Sequence, residues 1–138
     1  MQLNPYLHFN GQCAEAFKFY EQCLGGKIVM MMTYGESPGS SEHTPPEMRD
    51  KIIHVRLIIG DQALMGSDSP PEYKEEAGGY SVSLSTNDRA EAERVFNALA
   101  ENGTVKMPFQ ETFWAHGFGM LTDRFGVPWM VNCEKAQD

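Results

Sequence analysis

The fold is decided by the stretch Glu111-Thr-Phe-Trp-Ala-His-Gly-Phe-Gly-Met-Leu-Thr-Asp-Arg-Phe-Gly-Val-Pro-Trp-Met-Val-Asn132. Apolar residues alternate with others through Phe118 and Met120 and again after Gly126, as expected for strands with one buried face. Between the two runs, Asp123-Arg-Phe-Gly126 has the chemistry of a turn, because Asp caps a turn and Gly accepts a positive φ. The stretch therefore predicts two antiparallel strands closed by a short loop.

The composition is that of an ordinary globular domain. The chain has 138 residues, of which 41% are hydrophobic. Its net charge is −8 and Lys and Arg do not cluster, so nucleic acid and anionic membranes are disfavoured as partners. The longest apolar run, residues 28–32, is far shorter than the ~20 residues of a membrane span. No export leader is visible and the three cysteines form no metal or redox motif, so we expect a cytoplasmic protein with reduced thiols.

Outward from the final hairpin, the sequence predicts a strand, a helix and three strands, twice over. In the first half, strands are predicted at 3–10, 27–34, 51–59 and 62–67, with a helix from Cys13 to Leu24 that Gly25-Gly26 end. In the second half, strands are predicted at 80–85, 104–110, 113–122 and 127–134, with a helix between the capping box Asp88-x-x-Glu91 and Asn102-Gly103.

The fold class that follows is α+β, with two βαβββ modules at about 1–68 and 79–135 that form a curved mixed sheet. The concave side of such a sheet is a natural place for a small molecule. Two long irregular stretches, residues 35–50 and 68–79, are expected to flank it.

The final hairpin, together with Pro5-Tyr-Leu and Phe19-Tyr20…Leu24-Gly25-Gly26, resembles the PhnB group of the glyoxalase/bleomycin-resistance proteins, the vicinal oxygen chelate superfamily. The resemblance covers nearly the whole chain. It implies the paired-module fold, and it implies either a metal enzyme or a metal-free binding protein, because the superfamily contains both.

The superfamily's metal ligands, usually His and Glu, would fall at four positions of this sequence by that resemblance. They are Pro5 (or Leu7), Gly66, Ser81 and Met130. None of these offers a donor that suits a hard divalent ion, so no metal and no cofactor are predicted.

The histidines leave one alternative open. His8 is predicted to point away from the ligand face, since its strand parity is opposite to that of Leu7. A metal pair of His8 and His54 on adjacent strands stays open, although no spacing motif demands it. Otherwise each His is expected to hydrogen-bond in or near the sheet.

Neither nucleophilic nor phosphate-binding chemistry is indicated. Cys13 could gain reactivity at a helix N-terminus, but a small apolar residue on the buried helix face is the preferred interpretation. Gly117-Phe-Gly119 lies in a predicted strand with no helix after it, so it is not a dinucleotide or phosphate loop. No catalytic residue is assigned.

The function predicted is metal-independent binding or sequestration of a small molecule in the concave pocket, by a homodimer. The alternative is a superfamily-type enzyme, a lyase, isomerase or dioxygenase-like protein, with a non-standard metal site. A purely structural partner protein is disfavoured, because the two long stretches would serve as lids. The residues predicted to contact the ligand are Leu7, Phe9, Asp68, Ser81, Trp114, Trp129 and Met130.

Overall fold

A computed structural model describes residues 1–38, 44–70 and 78–135. The chain divides into two compact units, unit 1 (Met1–Glu75) and unit 2 (Glu76–Asp138). In the described residues the strands form two four-stranded sheets, one in each unit. The described helices contain none that is long and apolar enough to cross a membrane.

Unit 1 has the order strand, helix, strand, short 3₁₀ helix, strand, strand. The elements are β1 (Tyr6–Phe9), α1 (Cys13–Leu24), β2 (Lys27–Thr33), the 3₁₀ helix Pro46–Met48, β3 (Ile52–Ile59) and β4 (Gln62–Asp68). The sheet order is β1-β4-β3-β2, with β1 parallel to β4 and the other pairs antiparallel.

Unit 2 repeats this order without the 3₁₀ helix. Its elements are β5 (Val82–Thr86), α2 (Arg89–Ala100), β6 (Thr104–Gln110), β7 (Ala115–Thr122) and β8 (Pro128–Glu134). The sheet order is β5-β8-β7-β6, again with one parallel pair, β5 and β8.

The predicted α+β fold with two βαβββ modules is confirmed. Two details differ: the strands form a separate sheet in each unit where one curved sheet was predicted, and the first strand spans only Tyr6–Phe9 of the predicted 3–10. Leu3 is fully exposed, and the first backbone contact of this segment with β4 is at Pro5, whose carbonyl accepts the N–H of Met65 at 3.2 Å. Of the two predicted loops, residues 39–43 and 71–77 lie outside the described residues.

The helices are capped in different ways. Gln12, at the N-terminus of α1, makes no side-chain cap bond. Instead Asp68, at the end of β4, accepts the backbone N–H groups of Gly11 and Cys13 through Oδ1, at 2.7 and 3.0 Å. In α2 the predicted capping residue is confirmed, because the Asp88 side chain accepts the N–H of Glu91 at 3.1 Å.

The turn of the final hairpin is also confirmed. Asp123 Oδ1 accepts the N–H groups of Phe125 and Val127 at 2.8 and 3.0 Å, and Gly126 has φ +89°. The second oxygen of Asp123 accepts the indole N–H of Trp129 at 2.9 Å. One buried carboxylate therefore fixes both the turn and the first buried side chain of the strand that follows.

Candidate functional site

Each sheet has one face covered by its helix and one face away from it, which we call the open face. In unit 1, a Cβ on Gly66 of β4 would lie 2.6 Å from the ring of Phe17 in α1, so Gly66 faces the helix. In unit 2, a Cβ on Gly119 of β7 would lie 2.6 Å from the ring of Phe96 in α2. Strand register from these two residues assigns every neighbouring side chain to a face.

The open face of unit 2 carries two rows of side chains that run across the four strands. Register places Ser83, Met130, Met120 and Met107 in one row, and Ser85, Asn132, Phe118 and Gln110 in the next. The first row is mostly methionine, whose unbranched thioether side chain adapts to irregular partners. The second row has an aromatic ring beside two amides and a hydroxyl.

Two further aromatic side chains extend the second row beyond Phe118. The rings of Phe118 and Trp114 meet edge to face with centroids 5.6 Å apart, and Phe113 meets Trp114 in the same way at 4.8 Å. Trp114 is 49% exposed and Phe113 90% exposed. Thr112 Oγ1 accepts the N–H groups of Trp114 and Ala115, so the turn that presents these rings is hydrogen-bonded.

Asn132 holds the one buried side-chain oxygen or nitrogen without a hydrogen-bond partner in the described part of the chain, its Oδ1. The Ser85 hydroxyl donates to Glu134 Oε1 at 3.1 Å, and Asn132 Nδ2 donates to Ser85 Oγ at 3.4 Å. Because the Ser85 proton is committed to Glu134, Ser85 can only accept from the amide, and Oδ1 is turned away from it. Sequence reasoning missed Asn132, although it lies two residues beyond Met130 and so shares its face.

The open face of unit 1 carries a cluster of rings. Tyr6 contacts His8, with ring centroids 5.1 Å apart, and stacks near His54 at 5.8 Å. The Tyr6 hydroxyl lies 3.3 Å from His54 Nδ1, and Ser69 Oγ lies 3.3 Å from His8 Nδ1. The structure places His8 on the open face and Leu7 on the helix face. The strands of His8 and His54 are not adjacent as predicted, because β4 lies between them.

Four of the predicted ligand contacts are core residues in this structure. They are Leu7, Phe9, Asp68 and Trp129, each at most 4% exposed. Leu7 and Phe9 lie beneath α1, where the Phe9 and Phe17 rings meet at 6.1 Å. Asp68 and Trp129 looked suited to a ligand because they are polar or aromatic, but backbone N–H groups and Asp123, respectively, satisfy their polar atoms.

The other three predicted contacts have different positions. Met130 is partly exposed on the open face of unit 2, and Trp114 approaches that face through Phe118. Ser81 lies just before β5, and the serine that pairs with Met130 is Ser83. The structure therefore brings three residues to one face: Met130, Trp114 and Asn132, of which Asn132 was not predicted.

Cys13 is unsuited to nucleophilic chemistry. It is fully buried, and burial, followed by the nearby Asp68 carboxylate, raises the pKa of its thiol far above the ordinary range. Cys23 and Cys133 are buried and free as well. The interpretation of Cys13 as a packing residue is confirmed.

The Gly-x-Gly of the sequence is a packing feature of β7. A Cβ on Gly117 would lie 2.3 Å from the ring of Phe109, and one on Gly119 would meet Phe96. Glycine is needed at both positions because aromatic rings occupy the space of a side chain.

A divalent metal, which the vicinal oxygen chelate fold allows, does not fit the residues present. Gly66 faces the core, Pro5 precedes β1, and Ser81 and Met130 offer a hydroxyl and a thioether. Within the described residues, no three His, Cys, Asp or Glu side chains are grouped so that they could hold an ion. We derive no chemistry through a metal at these positions.

Comparison with known proteins identifies the family to which the chain belongs. A family model described as 3-demethylubiquinone-9 3-methyltransferase matches residues 1–132. Protein YjdN of Escherichia coli (strain K12) is 40% identical over an alignment of 144 positions, which covers 99% of this chain and 98% of that protein. The crystal structure of protein PA1353 from Pseudomonas aeruginosa is 54% identical, covers 99% of both chains and has a TM-score of 0.89.

A further solved structure is that of the PhnB protein from Bacillus cereus. It is 25% identical, the match covers 96% of this chain and 98% of that one, and the TM-score is 0.78. These matches run along the whole described chain, so they concern both units. The chain therefore belongs to the 3-demethylubiquinone-9 3-methyltransferase family, a PhnB-like group with the vicinal oxygen chelate fold.

Proposed function

We propose that this protein is a cytoplasmic binding protein that holds a small, flat molecule on the open face of unit 2 without a metal. The observation that carries the proposal is the unpartnered Oδ1 of Asn132 in the row that also contains Phe118. A buried acceptor without a donor costs about 1–3 kcal/mol, and a ligand N–H or O–H would recover that free energy.

The surroundings of this oxygen suit an aromatic or apolar molecule. Phe118 faces Asn132 directly across the strand pair, and Trp114 extends the aromatic surface beyond it. Met130, two residues before Asn132 on β8, supplies adaptable apolar surface on the same face. Asn132 Oδ1 is closed to water, so a ligand would enter by displacing side chains, of which Trp114 and Met130 are partly exposed.

Methyl transfer, which the family description names, is not proposed. Gly117 and Gly119 form the one Gly-x-Gly of the sequence, and both support aromatic rings from within β7. They do not form the strand–loop–helix turn with which a helix N-terminus holds a nucleotide-like cofactor.

The positions of the two tryptophans make a direct test possible. Trp114 borders the proposed site, whereas Trp129 is 1% exposed on the helix face. Titration with aromatic acids, quinones and phosphonates should quench the emission of Trp114 for at least one compound. That compound should also raise the melting temperature, because a ligand selective for the folded state stabilises it.

Two variants and one control variant separate binding at this site from general quenching. Trp114→Phe should lose the quenching but keep the shift in melting temperature. Met130→Glu should weaken binding by at least about tenfold, since it buries a charge without a partner. Leu3→Glu adds the same charge at a fully exposed position of unit 1 and should bind as wild type does. If no compound acts on wild type, or Met130→Glu binds equally well, the site is misplaced.

We further propose that the protein is a homodimer. Each sheet has outer edge strands, and β2 and β6 expose apolar side chains there: Val29 is 54% and Val105 46% exposed. Uncovered apolar edge strands promote association. Light scattering coupled to size exclusion at about 0.1 mM measures the mass directly, and a monomer would contradict the proposal.

A further inference from the structure

The open face of unit 1 has an ordered layout of its own. Register across β1, β4, β3 and β2 places Tyr6, Met65, Arg56 and Met30 in one row. The next row is His8, Ser67, His54 and Met32 by the same register. The two histidine backbones are separated by two strand spacings, about 10 Å, with the small Ser67 between them.

The charge on this face is opposite to that of the chain as a whole. The protein has 19 acidic and 11 basic residues, yet the eight side chains of the two rows include Arg56 and two histidines and no carboxylate. Arg56 belongs to neither of the ion pairs Arg89–Glu93 and Arg124–Glu101, which join described residues. Arg56 is partly exposed, so its guanidinium can meet a ligand from solvent.

Asp68 and Tyr34 do not place a negative charge on this face. Asp68, next to Ser67 on β4, points to the helix face and accepts three backbone N–H groups. Tyr34 donates its hydroxyl to the Asp68 carbonyl at 2.7 Å. Burial, followed by the Asp68 carboxylate, raises the pKa of Tyr34, so its hydroxyl stays neutral.

Both histidines have a polar partner at Nδ1. Tyr6 Oη occupies Nδ1 of His54, and Ser69 Oγ occupies Nδ1 of His8. Each imidazole therefore has its Nε2 free for another partner, since the two ring nitrogens act separately. Tyr6, in ring contact with both, keeps the two imidazoles in place.

We propose that the open face of unit 1 is a binding site for an organic monocarboxylate. Arg56 would hold the carboxylate through its planar fork of donors, and the imidazole Nε2 groups of His54 and His8 would add further hydrogen bonds. Met65, Met30 and Met32 would contact the apolar body of the acid. One permanent positive charge fits one carboxylate. This site is on unit 1, whereas the proposed function concerns the open face of unit 2, so this inference does not depend on that proposal.

Calorimetric titration with phenylacetate and with its neutral analogue phenylacetamide tests this inference. Phenylacetate should bind at least about tenfold more tightly than phenylacetamide to wild type, because the carboxylate forms charge-assisted hydrogen bonds. Arg56→Gln should remove the difference, and Arg56→Lys should retain part of it, because lysine keeps the charge without the fork. Lys18→Gln, on the exposed side of α1, removes the same charge and should match wild type.

The outcomes are distinct from those of the unit 2 experiment. Equal binding of the two probes to wild type, no binding of phenylacetate, or equal affinities for Arg56→Gln and Lys18→Gln would each overturn the monocarboxylate site. Circular dichroism of Arg56→Gln checks that the variant is folded. Absence of any Trp114 response would instead contradict the unit 2 proposal and leave this one standing.

Discussion

Replacing Asp68 with Asn tests whether this carboxylate is a structural residue. Asp68 is 1% exposed, and its Oδ2 accepts the N–H of Ile52 at 2.9 Å while Oδ1 accepts those of Gly11 and Cys13. An asparagine of the same size has one oxygen, so its NH₂ group must face at least one of these N–H donors. Hydrogen bonds to charged groups contribute about 1.5–3 kcal/mol, and a buried unpaired donor costs about 1–3 kcal/mol. We expect Asp68→Asn to lower the free energy of unfolding by about 3 kcal/mol or more.

Urea unfolding followed by far-UV circular dichroism measures this loss. With a slope of about 1.5 kcal/mol per molar urea, the midpoint should fall by about 2 M. Asp61→Asn is the matched control, because Asp61 lies exposed in the turn between β3 and β4 and should change stability by less than about 0.5 kcal/mol. If Asp68→Asn is as stable as Asp61→Asn, the three backbone contacts do not hold the carboxylate and a ligand role returns.

Three further predictions follow from packing and donor chemistry. Gly66→Ala should lower the free energy of unfolding by about 1–3 kcal/mol in calorimetry, because its Cβ would lie 2.6 Å from the Phe17 ring. Gly78→Ala is the control, because a Cβ there would meet open space and should leave stability unchanged. Equal melting temperatures of the two variants would refute the clash. Burial raises the pKa of Cys13, so the folded state keeps a proton that the unfolded state loses, and stability should decline as pH rises above the ordinary thiol pKa of about 8.5. Cys13→Ala should reduce that decline. If the slope of stability against pH is the same in this variant as in wild type, the Cys13 thiol is not its source. Elemental analysis should give well below one equivalent of Zn, Ni, Mn, Co or Fe, and a stoichiometric metal lost in His54→Ala would instead favour the enzyme alternative.

Local chemistry made much of the fold predictable. The Asp123 turn, the Asp88 cap and the glycine that ends α1 each depend on residues a few positions apart, so the sequence determines them directly. The strand β6, predicted at roughly 104–110, spans Thr104–Gln110. Register across strands also follows once a face is known.

The face of the first strand could not be predicted, because both of its sides are apolar or aromatic. Tyr6 and His8 alternate with Leu7 and Phe9, and hydrophobicity alone does not say which pair meets a helix. The decisive contact is Phe17 against Gly66, which joins residues far apart in sequence. For the same reason Leu7, which lies under α1, was predicted to contact the ligand.

The missed candidates share a different cause. Arg56 is a candidate because neither ion pair includes it, and Asn132 because its Oδ1 has no hydrogen-bond donor. Both properties depend on neighbours in three dimensions, which the sequence does not give. The burial of Asp68 and Trp129 could not be foreseen for a related reason, since distant backbone N–H groups and Asp123 supply their partners.

The unequal capping of the two helices implies an order of events while the chain is synthesised. The cap of α2 is three residues from the donor that it accepts, so it is available as soon as the helix itself exists. The acceptor for the N–H of Cys13 lies 55 residues further along, at the end of β4. A nascent chain that stops before Asp68 must hold α1 with an open N-terminus. The N-terminus of α1 therefore gains its acceptor only when the first sheet is complete, whereas the N-terminal acceptor of α2 is part of the same local segment.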